Sequence, residues 1–298
     1  MLSAVERKIE QFITELNDKE VSALYLKLPY GKRLRAKLIL KIAGNSLSAV
    51  KTAAIVEMIH AASLLHDDVI DDAYTRRAKP SLNALYGNKT AIMLGDILYS
   101  KGFLELNNIS PEVAKMVSNA VVQLSLGELK DVSLSKTFNI NKDIYLEMIY
   151  QKTASLMEAS AGAAALLVGK DKHTYMTYGR NLGIAFQMID DLLDITMDAE
   201  TLGKPALHDF VEGKTTLPYI YLYEALDNDD KTKLISLHGK MLSSEEQLWI
   251  KEMMQDTGVI EKSYTEAKVL IEEAITLMNA KGEEALSSIA LAMIERNF

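Results

Sequence analysis

The sequence predicts an all-α protein, and three observations support this fold class. Apolar residues recur at three- and four-residue spacing along most of the chain, for example at Ile55, Ile59 and Ala62. No segment has the convincing alternation of apolar and polar residues that is typical of a β-strand. Glycine, proline and asparagine interrupt the periodic stretches at helical intervals. We therefore expect a bundle of about ten or more helices.

Length and composition bear on the domain organisation. The chain has 298 residues, of which 48% are hydrophobic and 25% charged, with only 5 prolines. This composition is that of a globular protein with a sizeable core. Neither a linker rich in Gly, Ser or Pro nor an internal repeat divides the sequence. One domain over residues 1–298 is the simplest expectation.

Charge and cysteine usage exclude several classes of function. The net charge of −8 argues against a nucleic-acid-binding surface, which needs a basic stripe. The absence of cysteine excludes disulfides, thiolate zinc sites and thiol catalysis. Glu6, Arg7 and Lys8 interrupt the N-terminal stretch where a signal peptide would be apolar. The longest small, apolar run, 159–169, has about 11 residues against the roughly 20 that span a bilayer. We expect a cytoplasmic protein without a transmembrane segment.

Capping residues mark two helix starts. Ser110 precedes Pro111, and proline is favoured at the first position of a helix. Ser243 precedes Ser244 and two glutamates, which is the pattern of a cap followed by an acidic first turn. We predict helices that begin at Pro111 and near Ser244.

The first of two acidic clusters ends an apolar helical stretch and contains Asp67, Asp68, Asp71 and Asp72. Residues four apart share one face of a helix, about 6 Å apart along its axis, so Asp67 and Asp71 point the same way. Acids at this spacing repel one another, and those near a helix C-terminus face the negative end of its dipole. The arrangement therefore indicates a bound cation.

The second cluster, Asp190, Asp191 and Asp194, repeats this spacing in another apolar stretch. One Asp-Asp-x-x-Asp motif alone is more often a solvated acidic patch, but two copies on apolar helices favour metal binding. Carboxylates suit Mg²⁺, which binds one or two of them together with substrate phosphates. The clusters therefore predict a site at which Mg²⁺ holds a diphosphate and stabilises the charge of its departure.

Cationic residues suited to phosphate accompany the acids. Lys32, Arg33 and Arg35 form one short basic run, and Arg76 and Arg77 directly follow the first acidic cluster. A basic run is usually solvated surface. The guanidinium fork matches phosphate geometry, however, and its pairing with acidic clusters favours an anion site.

Five motifs together resemble the trans-isoprenyl diphosphate synthases. They occupy residues 31–35, 65–77, 152–153, 187–194 and 213–218, in the order and spacing of that family. The resemblance implies helices around a central cavity, as in the isoprenoid synthase fold. It implies a prenyltransferase that uses about two to three Mg²⁺ ions. The expected substrates are isopentenyl diphosphate and an allylic diphosphate, with farnesyl diphosphate as primer.

The resemblance also implies roles for individual residues. The metal ligands would be Asp67, Asp68, Asp71, Asp190, Asp191 and Asp194. The diphosphate of isopentenyl diphosphate would bind to Lys32, Arg35, His60 and Arg77. The allylic diphosphate would bind to Arg76, Lys204 and Lys214. The allylic cation would be stabilised by the catalytic residues Lys152, Thr153 and Gln187. A satisfied core histidine is the alternative for His60, but it lies two turns before Asp67 on the same face.

Product length is expected to depend on an apolar tunnel below the first cluster. Ala62 and Ser63, one turn above Asp67, stand where short-chain members of the family place a bulky aromatic residue. Ile59 lies in the next turn. Small side chains leave the tunnel open, which predicts a product of about six to nine isoprene units. Octaprenyl diphosphate, a precursor of quinone side chains, is the central expectation.

Several alternatives stay open. A shorter-chain farnesyl or geranylgeranyl diphosphate synthase is the nearest, and a terpene cyclase is weaker because the 31–35 motif belongs to chain elongation. From another class, the chain could be a non-catalytic subunit of a heteromeric synthase or a helical interaction protein, although such a subunit would be expected to have lost one acidic cluster. The family favours a homodimer, with transient membrane contact for product release. Ala78 and the single glycine before Lys32 depart from the family pattern and affect loop geometry.

Overall fold

Helices make up nearly all of the regular structure in the computed structural model, which describes residues 1–77, 79–197 and 207–294. The predicted all-α class is confirmed. The chain divides into two compact units, Met1–Val121 with Leu156–Met176, and Val122–Ser155 with Thr177–Phe298. A single domain over residues 1–298 remains a prediction.

The first unit is built from the N-terminal helices and from α9. Its helices are α1 (Leu2–Thr14), α2 (Lys19–Tyr25), α3 (Leu34–Ala43), α4 (Leu47–Ile70), α5 (Leu82–Tyr86), α6 (Asn88–Leu106), the first half of α7 (Pro111–Leu134) and nearly all of α9 (Ser155–Leu167). A short antiparallel ribbon of β1 (Thr75–Arg76) and β2 (Lys79–Pro80) follows α4. The sequence did not predict this ribbon because two-residue strands are too short to alternate.

Helix α4 forms the centre of the first unit and packs against α1, α3 and α6. It approaches α6 closely at Gly102, where an added Cβ would lie 3.3 Å from Ile59 and 3.7 Å from Ile55. Within the described ranges, α4 is the one helix long and apolar enough to cross a membrane, and 67% of its apolar window is buried inside the protein. Such burial is typical of a core helix.

The second unit contains the remaining helices. They are α8 (Lys142–Ile149), a π-helical turn (Tyr150–Ala154), most of α10 (Lys172–Thr196), α11 (His208–Val211), α12 (Leu217–Ala225), α13 (Asn228–Leu237), α14 (Ser244–Asp256), α15 (Val259–Asn279) and α16 (Glu284–Ile294). The second half of α7 also belongs to this unit.

Both predicted helix starts are confirmed. Helix α7 begins at Pro111, and the N–H of Val113 donates to Oγ of Ser110 at 3.2 Å. Helix α14 begins after Ser243, whose hydroxyl accepts from the N–H of Glu246 at 3.2 Å. The Glu246 carboxylate accepts from the N–H of Ser243 at 2.7 Å and completes a capping box.

Candidate active site

The first acidic cluster lies at the C-terminal end of α4. Asp67 and Asp71 are one turn apart, both partly exposed, and the N–H of Asp71 donates to the carbonyl of Asp67 at 2.8 Å. Asp68 is only 4% exposed, and its carboxylate accepts from Nε of Arg76 at 2.6 Å. Burial raises the pKa of Asp68, and the charge of Arg76 opposes this rise. Asp68 is therefore engaged by the protein, whereas Asp67 and Asp71 reach the surface.

The ribbon after α4 directs Arg76 back to the acidic cluster. Asn83 Nδ2 donates to the carbonyls of Asp68 at 3.0 Å and Ala73 at 3.1 Å. The hydroxyl of Ser81 also donates to the carbonyl of Ala73, at 2.7 Å. These contacts fix the loop between α4 and α5, so the orientation of Arg76 depends on residues outside the acidic motif.

Three arginines of the first unit, Arg35, Arg76 and Arg77, lie near His60. Burial lowers the pKa of His60 well below its usual value, and the charges of these arginines and of Arg33 lower it further. Burial also lowers the pKa values of Arg35 and Arg77. Among the described residues, Nε of Arg35 has no hydrogen-bond partner. Because like charges held together are unfavourable, this cluster is suited to bind an anion such as a diphosphate.

The basic run before α3 separates into two kinds of residue. Arg33 Nε pairs with Glu6 at 2.7 Å, and its Nη1 lies 3.6 Å from Glu57, so Arg33 holds the fold together. Lys32 beside it is exposed. The structure therefore leaves Lys32 accessible to a substrate and commits Arg33 to internal ion pairs.

Gly31 brings this basic run to Arg77. An added Cβ at Gly31 would lie 2.9 Å from Nη1 of Arg77, which is closer than real side chains approach. The same Nη1 donates to the carbonyl of Pro29 at 3.4 Å. A side chain at position 31 would therefore displace the guanidinium of Arg77.

In the second unit, a cavity of about 200 Å³ brings together residues from three of the five motifs. Lys152, Thr153, Gln187, Asp191 and Lys214 all line it. The wall also contains residues that the sequence did not single out, among them Asp131, Tyr145 and Asp209. The structure thus places all three predicted catalytic residues on one cavity.

Lys152 and Thr153 lie in the π-helical turn that separates α8 from α9. Such turns occur frequently at functional sites. Gly127 of α7 permits a close approach here, because an added Cβ would overlap the backbone nitrogen of Lys152. The Lys152 ammonium pairs with Asp131 at 2.6 Å and Glu128 at 2.9 Å, and both carboxylates are buried. Two acids from α7 therefore fix the side chain of Lys152.

A chain of hydrogen bonds links the catalytic candidates to the second acidic cluster. The hydroxyl of Thr153 donates to Oε1 of Gln187 at 2.7 Å, and Nε2 of Gln187 donates to Asp191 at 2.8 Å. The Tyr145 hydroxyl donates to the other oxygen of Asp191 at 2.7 Å. Burial, together with the charge of Asp209, raises the pKa of Asp191 to about 8. Asp191 therefore organises the cavity wall.

The last acid of the second cluster is tied to the segment that carries Lys214. Asp194 is 2% exposed, its carboxylate accepts from the N–H of Asp209 at 3.1 Å, and its carbonyl accepts from the N–H of Leu207 at 3.0 Å. Asp190 is partly exposed. Of this cluster, Asp190 is the most accessible member.

Lys214 lies beside a compact group of charges. Its ammonium pairs with Glu212 at 2.8 Å, and His208 contacts the other oxygen of Glu212 at 3.0 Å. Burial would raise the pKa of Glu212, but His208 and Lys214 outweigh it and lower the pKa to about 2.

Gly213 has a φ of 85°, and a Cβ there would overlap the carbonyl of Ser135. Only glycine suits this turn.

The available donors fit Mg²⁺ in part. Among the residues described, no three or more His, Cys, Asp or Glu side chains converge to hold a cation by themselves. Mg²⁺ does not require this, because it takes one or two carboxylates and completes its octahedron with water and phosphate oxygens. Asp67 and Asp71 offer oxygen donors at the surface. Asp68 and Asp191 are held by protein hydrogen bonds, which suits them better to support than to direct ligation.

The residues predicted to form the tunnel lie in α4. Ile59, Ala62 and Ser63 are buried in α4. Lys204 and Ala78 lie outside the described residues. The tunnel and the role of Lys204 stay predictions.

A family comparison assigns the chain. Residues 19–256 match the model of the polyprenyl synthetase family. The chain belongs to this family. A polyprenyl synthetase of this kind is a trans-prenyl diphosphate synthase, and the resemblance carried by the five motifs is confirmed.

The proteins similar to this polyprenyl synthetase are named for products of different length. It is 34% identical over 284 residues to a short chain isoprenyl diphosphate synthase from Methanothermobacter thermautotrophicus, covering 89% of this chain and 86% of the relative. In an alignment of 310 residues, it is 31% identical to heptaprenyl diphosphate synthase component 2 from Bacillus subtilis. This alignment covers 100% of this chain and 88% of the relative. It resembles the crystal structure of octaprenyl pyrophosphate synthase from Helicobacter pylori with a TM-score of 0.94 and 44% identity. The match covers 99% of this chain and 98% of the Helicobacter pylori chain.

Proposed function

We propose that the chain is a Mg²⁺-dependent polyprenyl diphosphate synthase that adds successive isopentenyl diphosphates to farnesyl diphosphate. The observation that carries this proposal is the wall of the second unit's cavity, where Lys152, Thr153 and Gln187 lie together. Their carbonyl, hydroxyl and amide dipoles are the groups that stabilise an allylic cation without forming a covalent bond to it. This matches a reaction that breaks a carbon–oxygen bond before a carbon–carbon bond forms.

Asp67 and Asp71, with Asp190, would hold Mg²⁺, and Asp68, Asp191 and Asp194 would support them. When bound, the metal would neutralise the allylic diphosphate and the charge left on it when it departs. Arg76, Lys204 and Lys214 would hold the same diphosphate.

A different set of basic residues from the first unit would hold the second substrate. Lys32, Arg35, His60 and Arg77 would bind the diphosphate of isopentenyl diphosphate and place its double bond for attack on the cation. The departing diphosphate would accept the proton that the condensation product loses. Much of the rate would come from positioning, because the two diphosphates must be aligned while water is excluded.

For the product we propose octaprenyl diphosphate, within a range of about six to nine isoprene units. Support comes from the small buried residues Ala62 and Ser63 next to Ile59, and from the similarity to the octaprenyl enzyme of Helicobacter pylori over 99% of the chain. A product of this length would serve as a precursor of quinone side chains. The enzyme would be cytoplasmic and would release the product through transient contact with a membrane.

We further propose that the enzyme is a homodimer. On the second-unit part of α7, Val122, Leu126 and Leu129 are 55%, 47% and 65% exposed and recur on one helical face. An apolar face of this kind is suited to a second copy of the chain. Measuring the molar mass in solution tests this, with twice the chain mass expected.

The similarity to heptaprenyl diphosphate synthase component 2 favours a second candidate, a subunit that acts only with a different partner chain. The two complete acidic clusters support catalysis by this chain on its own.

One assay tests the proposal. The purified protein is incubated with labelled isopentenyl diphosphate, farnesyl diphosphate and Mg²⁺, with EDTA as control, and the products are sized after dephosphorylation. A ladder that ends near about eight units and disappears with EDTA is expected. A ladder that stops at about three or four units would keep the enzyme class and overturn the tunnel assignment. No product from any allylic primer would favour the subunit that needs a partner.

A further inference from the structure

The segment that carries Lys214 is held by a side chain outside all five motifs. His238 follows α13, and its Nε2 lies 3.2 Å from Oγ1 of Thr215. Burial lowers the pKa of His238, and a hydrogen bond to the backbone of Gly213 opposes this lowering. A contact that raises the pKa is one in which the imidazole N–H donates, so the acceptor is the carbonyl of Gly213. His238 therefore contacts the residues on both sides of Lys214.

Thr215 is held from a second direction as well. The backbone N–H of Asn139 donates to Oγ1 of Thr215 at 3.2 Å. A hydroxyl that accepts from Asn139 can donate its own hydrogen to a neutral imidazole, and burial favours the neutral form of His238. From Asn139 through Thr215 and His238 to Gly213, each donor then meets an acceptor.

Aromatic packing fixes the imidazole ring. Phe138 and Phe210 meet His238 edge-on, with ring centroids 5.3 Å and 5.5 Å away. The backbone carbonyl of Phe210 accepts from the N–H groups of Gly213 at 3.0 Å and Gly239 at 3.1 Å. Gly213, before Lys214, and Gly239, after His238, thus share the carbonyl of Phe210. The two segments are held together by this backbone contact and by the side chain of His238.

We propose that His238 is a positioning residue for Lys214. Within the described part of the chain, Lys214, Thr215 and Thr216 line the active-site cavity, and His238 is not among the lining residues. Glu212 orients the Lys214 ammonium through their 2.8 Å ion pair, and His238 fixes the backbone from Gly213 to Thr215. This inference rests on the proposed role of Lys214 in binding the allylic diphosphate.

The test compares steady-state kinetics of variants. His238→Phe keeps the aromatic contacts and removes both hydrogen bonds, and we expect the KM for farnesyl diphosphate to rise about tenfold. The KM for isopentenyl diphosphate and kcat should change by less than about twofold, because Lys214 acts on the other substrate. His238→Gln, whose amide offers a donor and an acceptor, should restore most of the affinity. In a Lys214→Ala background, His238→Phe should cause no further rise.

A second variant keeps the inference testable where His238→Phe does not fold. Thr215→Val removes the hydroxyl without touching the aromatic cluster, and it should raise the same KM. If Lys214→Ala raises the KM for farnesyl diphosphate but neither His238→Phe nor Thr215→Val does, this inference is wrong and the proposed function stands. Additive effects of His238→Phe and Lys214→Ala on this KM would also overturn the inference alone. If Lys214→Ala leaves the KM unchanged, the proposed role of Lys214 is wrong and this inference falls with it.

Discussion

The two acidic clusters have the same spacing but lie in different environments. Asp67 and Asp71 end α4 and are partly exposed, with Asp68 as their buried, arginine-paired member. In the second cluster Asp191 and Asp194 are both buried and accept hydrogen bonds from other segments of the second unit. Identical motifs therefore serve different purposes: the first presents carboxylates, and the second also holds its own surroundings in place.

This difference leads to a contrast between activity and stability. Replacing Asp67 or Asp71, the partly exposed members of the first cluster, should affect catalysis more than folding. Replacing Asp191 or Asp194, the buried members of the second cluster, should affect both, because the donors Tyr145 and Asp209 lose an acceptor.

The largest effect is expected from the first cluster. The double variant Asp67→Asn with Asp71→Asn should lower kcat/KM on the order of 10³-fold, because the proposed Mg²⁺ site at the departing diphosphate loses two carboxylates. Asp72→Asn is the matched control, since Asp72 is exposed, ends the same cluster and has a φ of 48° that asparagine tolerates. Equal activity of the double variant and the control would contradict the assignment.

The next largest effect concerns Lys152. Lys152→Met should lower the free energy of unfolding by about 3 kcal/mol, because Glu128 and Asp131 lose their cation in a largely buried place. Lys130→Met is the control: its partner Glu147 is 56% exposed, so loss of this ion pair should cost at most about 1 kcal/mol. Urea denaturation of the two variants measures the difference, and similar costs would show that the acids do not depend on Lys152.

A smaller effect tests the two clusters directly. Asp191→Asn should lower the free energy of unfolding by about 1–3 kcal/mol, because the amide accepts fewer hydrogen bonds and turns an N–H toward a donor. Asp67→Asn should lower the melting temperature less, because Asp67 is partly exposed whereas Asp191 is only 4% exposed. Differential scanning calorimetry measures the melting temperatures of both variants. A melting temperature that falls equally in both would remove the distinction between the clusters.

The smallest energetic effect concerns product length. Ala62→Phe should shorten the product by about one to three isoprene units while condensation continues, because the ring fills the predicted tunnel. Ala61→Phe places the same ring on the neighbouring, partly exposed position of α4 and should leave the length unchanged. An identical product pattern in both variants would place the tunnel elsewhere.

The sequence predicted the helical class, both capped helix starts and the family, because these depend on periodicity and on short local motifs. It could not predict the π-helical turn at Lys152, which accompanies a close approach by Gly127 in a distant helix. Nor could it predict that Asp68 and Asp191 are hydrogen-bonded by Arg76 and Tyr145. Those partners are brought together by tertiary packing, which local spacing does not encode.

His238 and Glu212 illustrate the same limit. A histidine after a surface helix and a glutamate before a glycine carry no signal in the sequence. Their contacts with Thr215, Gly213 and Lys214 arise from tertiary packing.

The most direct test of the central claim, that aspartates act on the diphosphate through Mg²⁺, is the binding of a non-ionising thio analogue of farnesyl diphosphate, measured calorimetrically with Mg²⁺ and with EDTA. We expect EDTA to weaken binding about 100-fold in the unmodified protein. The double variant Asp67→Asn with Asp71→Asn should bind weakly under both conditions, and Asp72→Asn should behave like the unmodified protein. Equally tight binding by the unmodified protein in EDTA would contradict the claim.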